Sequence, residues 1–365
     1  MSHPATILLC GPSRSAVSGV ATHLNQLFES SLAEKYSLHQ FQLGSEGRDE
    51  GRLQKLLRYV TSPFAFLARI VRLRPDVVHL NTSLEPKSFW RDLVYLYTAK
   101  LFRRRVVLQV HGGEMPSRFL GSNPLSHAFL RFSLGLPDAI ALLANCELEE
   151  YRNFRLATRI EIIPNAIRLG EYGGVQPKCF DAKPLVLGYI GRLADDKGIE
   201  ETIEAIAVLR DRGTTDLELR IAGSGPYERA LRELVRARSL EDTVLFVGAV
   251  FGQEKLEYWR DIDLFVFPTF HREGLPYTIL EALASGTPTI TTRVGGIPDV
   301  IRDGIEGVLL DTHECRVVSA AIQEAMSDRE RLRTMSAAAI DRARQHYGVE
   351  RLADQFDDLY AELLA

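Results

Sequence analysis

The chain has 365 residues, 45% of them hydrophobic and 25% charged, with four cysteines and a formal net charge of −4. That length exceeds what one core ordinarily supports, so two domains are expected, and no apolar run approaches the ~20 residues that a transmembrane helix needs. Cys10, Cys146, Cys179 and Cys315 lack CxxC or Cys/His spacing, which argues against a disulfide framework or a zinc site and for a reducing, cytoplasmic setting.

The N-terminus runs into a strand, Thr6 to Cys10, without the basic region and cleavage site of a secretory signal. A small-residue loop follows, Gly11 to Gly19, and then a helix from about Val20 to Ser30. Strand, loop and helix make the opening unit of a doubly wound domain, with loop amides able to face a phosphate. The glycine spacing is not GxGxxG and no acid stands where a nicotinamide ribose would need one, so a dinucleotide fingerprint is absent. Gly19 either lets a diphosphate approach closely or serves as a turn glycine.

Leu38 to Leu43 reads as a second strand. Residues 51–74 are amphipathic and basic, and Pro63 is expected to break them. Their apolar side chains, with Arg52, Lys55, Arg58, Arg69, Arg72 and Arg74, suit either an anionic lipid surface or ordinary sheet-covering helices with a solvated face. The wider stretch 51–105 concentrates the positive charge: residues 1–175 carry about +6 and the remainder about −10.

Asp76 to Leu80 and Val106 to Val110 are apolar runs fit for parallel strands covered on both faces. The second leads into His111-Gly112-Gly113, which puts His111 at a strand's carboxyl end beside glycines that admit a ligand. Asp138 to Leu143 and Ile160 to Ile163 add two more strands. Residues 167–184 have turn composition and read as a linker.

A second series begins at Leu185 to Ile190. It is followed by Gly191-Arg192-Leu193-Ala194-Asp195-Asp196-Lys197-Gly198 and a helix to about Arg210. Arg192 and Lys197 at a strand-to-helix turn suit a phosphate, since arginine offers a planar fork and lysine a point charge. Leu217 to Ala222 leads into Gly223-Ser224-Gly225-Pro226, and Val244 to Val247 into Gly248. Asp261-Ile262-Asp263 matches DxD but precedes the buried run Leu264 to Phe267, so it reads as a strand lead-in rather than a metal site. No zinc-ligand spacing, Walker loop or nucleophilic triad is present.

After that run come the loop Thr269 to Gly274 and a helix with Pro276 at its first position and Gly286 at its stop. Glu281 sits among Ile279, Leu280, Ala282, Leu283 and Ala284, where an unpaired carboxylate would be costly, so a partner is expected. Glu273 precedes the same helix. Further helices occupy 315–347, and an amphipathic helix runs from Val349 to Leu364.

Taken in series, GRLADDKG, AGSGP, FVGAV, REGLPYTILEALASGTPTI, GGIPDVI and GIEGVLL resemble family 4 glycosyltransferases of the GT-B fold. The resemblance extends over essentially the whole chain, including SGVATHL and the HGG at 111–113. Its signature is Glu273 and Glu281 in an E-x7-E motif. The first loop departs from many members in having Ser18-Gly19 in place of two glycines.

The resemblance implies an α/β chain with two Rossmann-like doubly wound domains facing a cleft: an acceptor domain at 1–166, a linker at 167–184, a nucleotide-sugar donor domain at 185–347, and a final helix at 348–365 returning to the first domain. It implies retaining, metal-independent transfer of a sugar from a UDP- or GDP-linked donor, with no other cofactor. Arg192 and Lys197 would hold the donor diphosphate and neutralise the leaving group. Glu281 would accept the ribose hydroxyls and Glu273 would face the sugar hydroxyls. His111 would lie near the reaction centre and Gly19 would face the diphosphate. Gly274, Leu275 and Pro276 would offer backbone amides.

The expected acceptor is a lipid-linked or cell-surface glycan intermediate of polysaccharide biosynthesis. The protein would be cytoplasmic, with peripheral contact to anionic lipid on the inner face of the plasma membrane and no nucleic acid partner. The alternatives are a small soluble acceptor, a nucleotide-sugar 2-epimerase of the same fold, and a catalytically silent nucleotide-sugar binding protein.

Overall fold

The computed structural model describes residues 4–121, 123–154, 156, 158–181, 184–272 and 274–365. They divide into two compact units, residues 1–166 with 349–365, and residues 167–348.

The first unit is built on a six-stranded sheet of β1 (Thr6–Gly11), β2 (Ser37–Gln42), β3 (Val77–Leu84), β4 (Arg105–Gly113), β5 (Ala139–Leu142) and β6 (Arg159–Ile162). The strands lie in the order β2-β1-β3-β4-β5-β6, all parallel. Alternation along the strands divides the core into two layers. Leu8, Cys10, Val78, Leu80, Val106, Leu108 and Val110 face the layer that holds Phe66 and Ile70. Ile7, Leu9, Val77 and Val107 face the layer that holds Leu24 and Leu27 of the helix Gly19–Phe28, with Leu352, Phe356, Leu359 and Tyr360 of the C-terminal helix Val349–Leu364.

Pro63 does not break the helix in which it stands, which runs without interruption from Arg52 to Leu73. An interior proline removes one backbone hydrogen bond and costs ~3 kcal/mol. Here it falls just before the turn where burial begins, and the fully buried Phe66 and Ile70 offset the cost. The preceding half of the helix has no core side: Leu53, Leu56, Leu57 and Val60 are all exposed.

The second unit holds β7 (Leu185–Ile190), β8 (Leu217–Ala222), β9 (Val244–Gly248), β10 (Leu264–Phe267), β11 (Thr289–Thr292) and β12 (Gly307–Leu310), all parallel. Their order is β12-β11-β10-β7-β8-β9. This is the dinucleotide-fold sequence of strands, in which the winding direction reverses between the first and fourth strands of the sheet, β7 and β10. In the first sheet the reversal falls between β1 and β3. Ligands of open α/β sheets bind outside the carboxyl ends of the strands at such reversals, so both sheets carry their natural site where the sequence motifs lie.

The stretch 167–184, read from composition as a linker, is packed onto the second unit in its described part. Tyr172 and Phe180 are buried. The Lys178 ammonium donates to the carbonyls of Trp259 (2.7 Å), Arg260 (3.1 Å) and Ile262 (2.5 Å), closing the C-terminal end of the helix Gly252–Asp261. Asp263 accepts from the Val186 amide at 2.9 Å, so this acid of the DxD string ties β10 to β7. Among the described residues no helix is long and apolar enough to cross a membrane, and no cluster of three or more His, Cys, Asp or Glu side chains is arranged to hold a metal.

Candidate active site

At the reversal in the second sheet, the loop after β7 is held from both sides. On one side it lies backbone to backbone against the loop after β8. Gly191 N donates to Ala222 O (3.1 Å), Leu193 N to Ser224 O (3.0 Å), and Tyr227 N returns to Leu193 O (3.1 Å). A Cβ at Gly223 would strike Gly191 O, and one at Gly225 would strike Leu193 O, which is the physical reason for the glycines of AGSGP. The Tyr189 hydroxyl donates to Arg192 O at 3.0 Å and fixes the backbone there, while the Arg192 side chain is exposed.

On the other side the loop docks on the segment after β10. Asp196 O accepts from Phe270 N (3.2 Å), His271 N (3.0 Å) and Thr269 Oγ1 (3.2 Å), and its carboxylate lies 2.6 Å from His271 Nδ1. Gly198, at φ +75°, abuts the Pro268 carbonyl so closely that no Cβ fits. Residues 191–198 and 268–271, separated by seventy positions in sequence, thus form one polar rim bearing Arg192 and Lys197. Neither Asp196 nor His271 stood out in the sequence. The only available signal was that DDK carries one acid more than a phosphate clamp requires.

The rim continues into the motif helix. Thr292 Oγ1 donates to Thr269 O, and Gly296 N donates to Gly274 O at 3.0 Å, so the loops after β10 and β11 are tied to each other. Leu275 is buried and anchors the loop. Pro276 is the extended N-cap rather than the first helical residue, and the helix runs from Tyr277 to Ala284, ending before Gly286 at φ +67°. Glu273, expected to face the sugar, lies outside the described residues.

Glu281 finds its partners inside the protein. Only 6% exposed, it receives Lys255 Nζ at 2.5 Å on one oxygen and the indole N–H of Trp259 at 3.0 Å on the other. Both donors come from the helix Gly252–Asp261. The partner that its burial demands is thus supplied by the protein itself, and each carboxylate oxygen keeps a second acceptor site. Burial, with Glu281 nearby, pushes the Tyr172 and Tyr277 phenols well above their ordinary range.

In the first unit, Gly19 is the exposed first residue of its helix, and its φ is not in the left-handed region. No left-handed turn therefore requires a glycine at this position. Ser18 caps the helix by accepting from Ala21 N at 3.4 Å. Nearby Arg14 is tied to Asn25 (2.7 Å) and Glu29 (3.3 Å), which holds the loop after β1.

His111 lies within β4, which extends past Val110 because Leu84 of β3 still pairs with Gly113. Partly exposed, it meets Asn81 Oδ1 through Nε2 at 2.7 Å, and its ring stands edge-on to His23 at 5.0 Å. Burial, then the neighbouring His79, lowers its pKa to about 3. Arg192, Lys197 and the Gly274–Pro276 segment thus share one rim of the second unit, Glu281 lies on the helix leading from it, and Gly19 and His111 stand at the strand ends of the first.

The two halves match two family models, described as Glycosyltransferase Family 4 over residues 17–171 and Glycosyl transferases group 1 over residues 176–342. N-acetyl-α-D-glucosaminyl L-malate synthase from Bacillus anthracis is 24% identical over 79% of this chain and 75% of its own. A GDP-mannose-dependent α-mannosyltransferase from Corynebacterium glutamicum is 35% identical over 49% of this chain, which spans 40% of that protein. Among solved structures, sucrose-phosphate synthase from Thermosynechococcus elongatus superposes with a TM-score of 0.79 at 20% identity, over 98% of this chain and 99% of that one. Anabaena HepE in complex with UDP superposes at 0.74 and 15% identity, over 98% and 100%. Two parallel six-stranded sheets with these neighbours make the fold GT-B, and the chain belongs to the family 4 glycosyltransferases.

Proposed function

We propose that the chain is a retaining, metal-independent glycosyltransferase that moves a sugar from a UDP- or GDP-linked donor to a lipid-linked or cell-surface glycan intermediate. The observation that carries this reading is the rim at the β7/β10 reversal, where two cations ride on a loop fixed from both sides. Departure of a nucleoside diphosphate builds negative charge, and preorganised cations with helix N-terminal amides stabilise it where it develops. Arg192 and Lys197 hold the diphosphate, the Gly274–Pro276 backbone and Glu273 hold the sugar, and Glu281 accepts a ribose hydroxyl while keeping Lys255 and Trp259. His111 and Gly19 are the acceptor domain's own candidates for substrate contact. The leaving phosphate itself assists a front-face displacement, and no side chain is assigned as nucleophile.

The nucleotide-linked donor is further supported by the UDP complex of HepE, which shares the fold. The acceptor class is supported by the helix Arg52–Leu73. Leu53, Leu56, Leu57, Val60 and Phe64 form an exposed apolar stripe flanked by Arg52, Lys55 and Arg72, the composition of a helix lying in an anionic lipid interface.

Ligand-induced thermal shift across a nucleotide-sugar panel identifies the donor, and transfer to lipid-linked acceptors then tests the reaction. Release of an epimerised sugar without acceptor, or binding without turnover of any donor, would overturn it. Flotation with anionic liposomes at low salt is expected, and its loss in a Leu56→Glu, Leu57→Glu variant tests the stripe.

A further inference from the structure

The helix-facing side of the first sheet changes character along its strands. On β3 it reads Val77, His79, Asn81, and on β4 Val107, Gln109, His111, with Asn81 paired to Gln109 in register. The polar members are linked across the strands: His79 Nε2 to Gln109 Oε1 at 2.9 Å, and His111 Nε2 to Asn81 Oδ1 at 2.7 Å. On its other nitrogen His79 meets the Tyr360 hydroxyl at 2.6 Å, from the C-terminal helix. His23, from the helix Gly19–Phe28, is wholly buried against His111 and Phe356.

Asn81 settles which nitrogen of His111 carries the proton. Its amide nitrogen donates to Cys10 O at 3.1 Å, and a carbonyl can only accept, so the orientation of the Asn81 amide is fixed. Its Oδ1 therefore accepts, and His111 must donate from Nε2. A neutral imidazole with its proton on Nε2 has a bare lone pair on Nδ1. Among the described residues Nδ1 has no hydrogen-bond partner.

We propose that Asn81 is a positioning residue that locks His111 as the Nε2–H tautomer, so that Nδ1 is presented as an acceptor to a sugar hydroxyl at the strand ends of the first sheet. The titratable groups packed around His111 are His23 from the first helix and His79 from β3, with Tyr360 from the C-terminal helix behind His79, and a proton on any of the three imidazoles would be a charge without a counterion. Burial lowers all three, His79 to about 4. His111 accordingly recognises a hydroxyl without contributing charge, and neutralising the leaving group is left to Arg192 and Lys197. The sugar-facing role of His111 rests on the function proposed above, whereas its tautomer does not, and the two are separable by experiment.

The long-range proton–nitrogen spectrum of uniformly ¹⁵N-labelled full-length protein, with His111 assigned by its loss in His111→Gln, reads the tautomer without any substrate. The expected pattern is a neutral imidazole protonated on Nε2 and unchanged from pH 8 to pH 5. A ring protonated on Nδ1, or one titrating near 6.5, would overturn the lock. Asn81→Asp keeps an acceptor on Nε2 but supplies a counterion, so His111 should gain a titration near neutrality, and kcat/KM should acquire an acidic limb absent from the parent. Asn81→Leu should show mixed tautomers with a raised donor KM. If the spectrum is as expected but His111→Asn, which keeps an acceptor near the Nδ1 position, and His111→Gln, which does not, transfer sugar equally well, the lock stands and the contact to the sugar is excluded.

Discussion

On the face of the first sheet that carries His79 and Asn81 the polar side chains near the strand ends are uncharged rings and amides, whereas the second unit keeps a charged carboxylate beneath its site and pairs it. His23, His79 and His111 share one face with Gln109, Asn81 and Tyr360; Glu281 is held by Lys255 and Trp259. The difference follows from what each can offer a ligand. A buried imidazole escapes the cost of a charge by staying neutral and then acts through hydrogen bonds alone. A carboxylate that must stay ionised needs a cation beside it.

The largest expected effect is on acid stability. In the folded chain the three imidazoles bind protons only well below 6.5, whereas in the unfolded chain they bind them near 6.5. The unfolded state therefore takes up protons first as the pH falls. The stability is fully present above about 6.5 and declines toward pH 4, with a loss on the order of several kcal/mol for the group. The two tryptophans divide between the units, Trp90 in the first and Trp259 in the second. In single-tryptophan variants, Trp90 fluorescence should change at a higher pH than that of Trp259, and the reverse order would break the comparison.

Next in size, Arg192→Ala or Lys197→Ala should lower the transfer rate on the order of 10²-fold or more with little change in melting temperature, as removal of a charge-stabilising group does. Near-parental rates would remove these cations from the reaction. Glu281→Ala should act on both stability and donor affinity. It leaves the buried Trp259 N–H without its acceptor, at a cost of about 1–3 kcal/mol, while Lys255, about a third exposed, can turn to water. Unfolding midpoints in urea measure this, and an unchanged midpoint would mean that Glu281 is held for the ligand alone. The smallest effect is expected at His23, whose ring nitrogens have no hydrogen-bond partner among the described residues. His23→Leu should be neutral or stabilising by up to about 1 kcal/mol, because an unpartnered buried polar group is removed.

Much of the fold was legible because parallel strands covered on both faces announce themselves as short apolar runs ending in glycine or proline, and β7, β8 and β10 lie where those runs lie. The same reading misjudged Pro63, because local propensity weighed more heavily than the packing of Phe66 and Ile70 that holds the helix together. Nor did it reveal that residues 167–184, whose composition is that of a tether, are anchored through Lys178, Tyr172 and Phe180. The histidine face left a faint signal, polar residues two apart in the otherwise apolar strings VVHLN and VLQVH, which alternation alone would place on one side of a sheet.

By itself the sequence determined the strands, the glycine turns, the two cations of the β7 loop and the awkward placement of Glu281, because each depends on residue type and spacing within one segment. Only the tertiary structure decided that Glu281 meets Lys255 and Trp259, that Asp196 carries the loop of Arg192 and Lys197 onto His271, and that His23, His79, His111 and Tyr360 meet on one face. Those contacts join segments tens to hundreds of residues apart, and strand order and register, which no single segment encodes, bring them together.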